Sequence, residues 1–314
     1  MADDLSSYVC RLTPESLEKA KKEINEDPEE RINAARQLKQ WILDQPHLTC
    51  RTDMEFLMMF LRGAKFSQLR AREMIEGMMT LRSERTDWFD RIDTHEAELQ
   101  RYLKSGYILP LPKKDSEGRL IFLNRVGLMD PGMPPKYRFR VTQMVGHFYG
   151  RDENVQVNGM VMIIDFTGFT TKHLSAMNMG DMKKFSNAMQ KFMPGRLKAF
   201  HYYNVGSFME AIMAVIKQVM RQKFRDRLHV HNTMESLYKY IPMEMLPVEY
   251  LPDEYEGPHQ GKLDDITADL VKKISEDSYR NELLKNTTGN WGIDESKRVK
   301  VEEPAAAFRK LNVD

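Results

Sequence analysis

Met160-Val161-Met162-Ile163-Ile164-Asp165-Phe166-Thr167-Gly168 opens with five consecutive apolar residues, breaks at Asp165 and closes on a Thr-Gly turn. A short apolar run bounded by a turn is the pattern of a strand buried on both faces. Runs of the same kind follow at 199–205 and 228–231, and helical periodicity fills 135–149, 181–193 and 207–220. Strand alternating with helix makes this region α/β, with a mainly parallel or mixed sheet and helices packed over it. Upstream, 107–111 and 120–126 flank Asp115-Ser116-Glu117-Gly118, which predicts a hairpin.

Working outward, the grammar changes before Gly106. Residues 12–104 predict helix after helix. Thr13 caps the first, with Pro14 at its first position. Asp27-Pro28-Glu29-Glu30 opens the second, with Glu30 in the capping-box place, and Thr52 with Glu55 opens the third. Ser67 starts the fourth. Beyond the sheet, 263–284 predicts one long helix docked on the exposed face of the sheet. A loosely packed tail follows, containing Trp291 and the basic stretch 297–300. The expected organisation is a small all-α bundle over 1–104, an α/β domain over 105–262 and a C-terminal helix and tail over 263–314.

The segment 207–220 carries the broadest apolar stripe: Phe208, Ile212, Val215, Ile216 and Val219 recur at helical spacing and are widened by three methionines. The helices at 135–149 and 181–193 have stripes of their own, the latter with Phe185, Met189 and Phe192. Periodicity alone lets such faces pack the sheet or line a cavity. With 23 methionines in 314 residues, the chain is rich in the side chain that accommodates irregular apolar shapes.

Composition narrows the partners. Hydrophobic residues make up 41% and charged residues 30%, a globular balance, and the net charge of +1 favours neither nucleic acid nor an acidic partner. The two cysteines, Cys10 and Cys50, form no framework, no basic-then-apolar leader opens the chain, and no apolar run reaches the roughly 18 residues of a membrane span. A cytoplasmic protein is expected, with Asn286-Thr287-Thr288 a chance sequon.

Residues for chemistry are scarce. There is no GxGxxG after a strand, no GxSxG and no HExxH, and 257–262 falls one residue short of a phosphate loop. His229 and His231 share a strand face but lack further ligands at metal spacing. Asp165 sits at a strand end, where it either works as an acid–base group or caps the turn at Gly168. No metal, no cofactor and no catalytic residue is expected.

Four short motifs then occur in a familiar order. Phe60-Leu61-Arg62-Gly63-Ala64-Lys65-Phe66 resembles an FLRA-x-x-F core, and Ile163-Ile164-Asp165-Phe166-Thr167-Gly168 an x-x-D-x-x-G strand end. His201-Tyr202-Tyr203-Asn204 resembles x-H-x-x-N, and Leu246-Pro247-Val248-Glu249-Tyr250 resembles LP-x-EYGG. Together they resemble the CRAL-TRIO (Sec14-like) lipid-binding family, nearest in style to its α-tocopherol transfer and retinaldehyde-binding branch. Leu251-Pro252 replaces the double glycine, and 251–257 nearly duplicates the last motif.

The resemblance implies a sheet floor under a mobile helical lid, the lid lying over about 205–220. It implies a cavity lined by Phe148, Ile163, Phe169, Phe185, Met189, Phe192, Phe208, Ile212, Val215 and Ile216. The ligand would be a hydrophobic small molecule, tocopherol-, retinoid- or phospholipid-like. Arg196, Lys198, Lys223 and Arg227 would hold a phosphoinositide headgroup, giving reversible peripheral membrane contact. Two other readings stand beside this one: a phosphoinositide-responsive trafficking adaptor that delivers no cargo, and a lipid-directed enzyme using Asp165 or His201.

Overall fold

The sheet begins where the hairpin was expected. In the computed structural model, which describes residues 5–206 and 222–299, Asp115 Oδ1 accepts from the backbone N–H of Glu117 (3.0 Å) and Arg119 (2.9 Å). Gly118 completes the turn at φ 72°, with the Asn158 amide where a Cβ would stand. After a two-residue strand β1 (Leu48–Thr49), this turn joins β2 (Ile108–Pro110) to β3 (Leu120–Arg125) antiparallel. The sheet continues in parallel through β4 (Met160–Asp165), β5 (Leu197–Tyr203) and β6 (Leu228–His231), in the order β2-β3-β4-β5-β6. This is the mixed, mainly parallel α/β sheet that the alternating pattern predicts.

Register gives the sheet two faces. Asn124, Ile164 and Tyr202 are aligned across β3, β4 and β5, as are Phe122, Met162 and Phe200. The intervening row, Leu123, Ile163, His201 and His229, points the other way. That second face is closed by the segment after β6: Leu237, Ile241, Leu246 and Tyr250 are buried in one core with Ile121, Leu123, Val161 and Ile163. Tyr250 donates its hydroxyl to Asp165, whose other oxygen takes the Thr167 N–H at 2.8 Å, so Asp165 does cap the turn at Gly168. Glu249 accepts the N–H of Leu263 at 2.9 Å. The first of the two LPxEY-like copies therefore makes these structural contacts. In the second copy the Tyr255 hydroxyl donates to the nearby Pro258 carbonyl, 3.1 Å away, and its N–H to that of Pro252.

The N-terminal helices are α1 (Pro14–Ile24), α2 (Arg31–Leu43), α3 (Met54–Gly63), α4 (Gln68–Glu84), α5 (Thr86–Phe89) and α6 (Ala97–Lys104). Thr13 and Ser67 cap α1 and α4 as expected. The other two caps differ. Asp53, not Thr52, accepts the Phe56 N–H at 3.1 Å, since a carboxylate one residue nearer the first turn is the better acceptor there. Glu30 makes no side-chain cap bond; Asp27 instead accepts from Glu29 and forms a separate turn before α2.

Helices and sheet are joined by a buried ionic cluster. Arg62, fully buried on α3, grips both oxygens of the buried Glu26 at 2.9 Å, reaches Gln156 at 2.8 Å and Tyr8 at 3.1 Å. Arg31 takes Glu26 as well, at 2.7 Å. Next to Arg62, Gly63 meets the backbone of Pro194, where an added Cβ would lie 2.7 Å from its carbonyl oxygen. Glycine stands at this motif position because backbone touches backbone here.

The remaining helices are α7 (Lys136–Gly150), α8 (Glu153–Asn158), α9 (Thr171–Ser175) and α10 (Met179–Lys191). The single long helix expected at 263–284 is two, Leu263–Ile274 and Asp277–Thr288, because Glu276 is extended (ψ 132°) between them. The first lies against α6 and the edge strand β2, not over a sheet face. The second packs on α7, with the Tyr279 hydroxyl donating to the Met144 carbonyl at 2.6 Å. The tail also has a place. Gly292–Ile293 forms strand β7, antiparallel to β1, and Trp291 packs on the helical core.

His201 and His231 are buried 2.9 Å apart on the second sheet face, with His229 stacked on His201. Burial, helped by the two neighbouring imidazoles, pushes His201 down to about 3, and burial pushes His231 down as well. The folded state therefore keeps His201 neutral where the unfolded chain, titrating near 6.5, takes up a proton. Stability is full above pH ~6.5 and falls with pH toward the folded value. The expected result is a urea midpoint that drops between pH 7 and pH 5, and a smaller drop in His201→Gln.

Candidate functional site

Among the described residues, the first sheet face lines open space. It is the floor of a cavity of ≈ 1810 Å³, larger than the several hundred Å³ that suffice for a drug-sized ligand. Phe122, Met162, Ile164, Phe200 and Tyr202 form the floor; α10 supplies Met182, Phe185 and Met189; α3 and α4 supply Met59 and Met78. About half of the methionines line the space, among them the five just named. The wall is backed by rigid aromatics. Trp88, fully buried, stacks on the lining Phe139 at 3.8 Å, meets Phe185 edge-on, and carries the Arg85 guanidinium 4.0 Å from its ring centroid.

Of the residues expected to line the cavity, Phe169, Phe185 and Met189 are on its wall. Ile163 is not: strand alternation turns it, fully buried, into the core on the other face, and its neighbours Met162 and Ile164 take the floor. Phe148 points away along α7 into an aromatic group, 4.8 Å from Tyr279 and under the Arg151 guanidinium at 4.7 Å. Phe192 is spent on the seam with α4, its ring filling the place of a Cβ at Gly77. Phe208, Ile212, Val215 and Ile216 lie outside the described residues, as does the expected lid of about 205–220 from residue 207 onward.

The floor was within reach of the sequence, since Met160 and Met162 mark one side of β4. On α7 the signal misleads, because the apolar stripe of Val141, Met144 and Val145 is core. Thr142, Gln143 and Gly146, on the polar side, line the cavity.

Arg196, Lys198, Lys223 and Arg227 come together. Arg196 and Lys198 share the Glu23 carboxylate at 2.7 and 3.1 Å. Burial works to raise Glu23, but these hydrogen bonds and charges prevail and hold it at about 2. Arg227 donates to the Leu197 carbonyl. Lys223 makes no ion pair among the described residues; partial burial, then Arg227, Lys65, Arg196 and Arg70, depress its pKa. Lys65 and Arg70 thus belong to the cluster, and the motif reading did not name them. Lys65 is held in the left-handed region (φ 56°) with Phe66 beside it (φ 57°), a conformation non-glycine residues adopt at a cost and one that occurs at functional sites.

His201, His229 and His231 are on the face away from the cavity, and among the described residues no group of His, Cys, Asp or Glu has the arrangement to hold a metal ion. No described helix is long and apolar enough to cross a membrane.

Residues 104–250 match the family model described as CRAL/TRIO domain, and residues 27–99 the one described as Pinta-like, UBA domain. The chain is 29% identical over 278 residues to alpha-tocopherol transfer protein-like of Homo sapiens, across 88% of this chain and 79% of that one. It is 28% identical over 277 residues to clavesin-2 of Homo sapiens, across 85% and 84%. Among solved structures, Sfh5 is similar over 80% of this chain and 99% of its own, with a TM-score of 0.47 and 15% identity.

The two faces of β4 differ in what a deletion removes. Ile163→Ala should cost about 3 kcal/mol through a buried void, whereas Met162→Ala, facing open space, should cost about 1 kcal/mol or less. Paired urea denaturations check this, and equal losses would contradict the assigned orientation of the strand.

Proposed function

The chain belongs to the CRAL/TRIO family through residues 104–250, and from that premise we propose that it carries a tocopherol-, retinoid- or phospholipid-like molecule between membranes. The observation that carries this reading is the cavity itself: a wide, methionine-rich space between one sheet face and the helices. Closing such a space over an apolar chain gains about 0.8 kcal/mol per buried methylene, so affinity requires no reactive group. A relative named for alpha-tocopherol transfer supports the same class of ligand.

Membrane docking is assigned to Arg196, Lys198, Lys223 and Arg227, with Lys65 and Arg70 at the same patch. A cation near an anionic surface contributes about 1 kcal/mol, so a cluster of this size gives reversible attachment to phosphoinositide-containing bilayers. The lid is assigned to about 205–220 on its sequence stripe, since this segment leads from β5 toward Lys223. Headgroup contact at the cluster would then bias the segment that covers the cargo.

Native mass spectrometry of the purified chain, followed by organic extraction, should release one apolar species at near-stoichiometric amount. A chain that is empty yet binds phosphoinositide vesicles would favour the adaptor reading. The double variant Lys223→Ala/Arg227→Ala should transfer its ligand to anionic vesicles about 30-fold more slowly, from two lost contacts, with unchanged ligand affinity. Equal transfer rates would remove these residues from the docking site.

A further inference from the structure

Among the described residues five arginines are buried: Arg31, Arg62, Arg82, Arg138 and Arg140. Arg31 and Arg62 hold Glu26, Arg82 holds Asp90 and Arg140 holds Glu96. Arg138 is the exception. It is 6% exposed, it lines the cavity, and among the described residues its guanidinium has no ion-pair partner and one hydrogen-bond partner, the thioether sulfur of Met129, 3.0 Å from Nη1. A buried guanidinium with no anion is costly, and a thioether returns little of that cost.

A second unpartnered group shares this end of the cavity. Asn124 is 8% exposed on the floor, and its Nδ2 has no hydrogen-bond partner among the described residues. The two lie close together in the fold. Asn124 pairs with Ile108, and Arg125 N bonds the Tyr107 carbonyl. Arg138 acts electrostatically on the Tyr107 and Tyr102 phenols and touches Met129, which follows β3 by one helical turn. All of this is at the carboxyl end of β3, the end of a parallel sheet where ligands bind.

We infer that the cavity contains a headgroup site in which Arg138 and Asn124 bind the carboxylate of a long-chain acid, with the chain lying over the methionine-lined floor. This rests on the carrier reading above and narrows its ligand class. A guanidinium fork and an amide NH₂ offer donors for both carboxylate oxygens. One arginine balances one negative charge, which a carboxylate carries and a phosphate monoester exceeds. The apolar surroundings strengthen the pairing and penalise a neutral head that leaves Arg138 unpaired.

The test compares oleic acid with oleyl alcohol, titrated at neutral pH into the delipidated full chain. The acid should bind about 10- to 100-fold more tightly, the range for a charge-assisted hydrogen bond over none. Arg138→Met should abolish the preference for the acid over the alcohol while leaving the thermal midpoint undiminished. Arg138→Lys should restore part of the preference, and Asn124→Leu should lose part of it. Equal binding of acid and alcohol by the wild-type chain would overturn the headgroup site, as would a preference that survives Arg138→Met. A phosphate-headed chain of the same length that outcompetes the acid would overturn the carboxylate assignment. These outcomes leave the carrier reading standing; binding of neither acid nor alcohol would count against that reading itself. Should Arg138→Met fail to fold, the wild-type comparison still decides.

Discussion

Strand alternation is the constraint on which this structure depends. A residue of β4 faces either the core or the cavity, and its neighbour must face the other way. Val161, Ile163 and Asp165 are committed to the core face, where Tyr250 bonds Asp165 and Leu237 and Leu246 fill the space. Met160, Met162 and Ile164 are thereby committed to the cavity. The same parity runs into β3 and β5 through the register, so one closed face obliges the sheet to present one open, apolar face. Left uncovered, a surface of that kind is a liability; covered at a distance by helices, it is a container.

Holding helices at a distance requires anchors other than hydrophobic contact with the sheet. The Arg62–Glu26 pair is such an anchor. Burying two charges costs several kcal/mol per ion, which geometry must offset, and here both Glu26 oxygens and every nitrogen of the Arg62 guanidinium have partners. The cluster ties α3 to α8 through Gln156, while Gly63 lets α3 meet Pro194 backbone to backbone. The helical region is fixed at the cavity's edge without filling it.

Sequence periodicity made the order of the elements legible, because continuous apolar strands and capped helices are local signals. Which face of a strand meets a ligand is not a local property: Ile163 and Met162 are equally apolar, and only the segment around Tyr250, some 85 residues away, decides between them. Helix α7 shows the converse. Its greasiest stripe belongs to the core because the helix Asp277–Thr288 covers it, so the cavity receives Thr142, Gln143 and Gly146. The break at Glu276 and the strand at Gly292–Ile293 were missed for a similar reason, each being imposed by tertiary contact on residues of unremarkable propensity. The basic residues named from the resemblance, Arg196, Lys198, Lys223 and Arg227, lie at one patch. Lys65 and Arg70, from a different region of the chain, join them only in three dimensions.

Strand β5 brings these parts into one mechanical unit. It starts between Arg196 and Lys198, both bound to Glu23, and carries Phe200 and Tyr202 on the cavity floor. On its other side it buries His201 against His231, which fixes β5 to β6. It ends at Asn204, held at φ 53° with its N–H on the His231 carbonyl and its amide on Thr167, immediately before the segment proposed as the lid. A strand pinned at this many points moves little; just beyond Asn204, Gly206 at φ 68° supplies a residue suited to a change of direction. The rigid floor and this glycine are adjacent in sequence, and Arg196, Lys198, Lys223 and Arg227 lie on both sides of them.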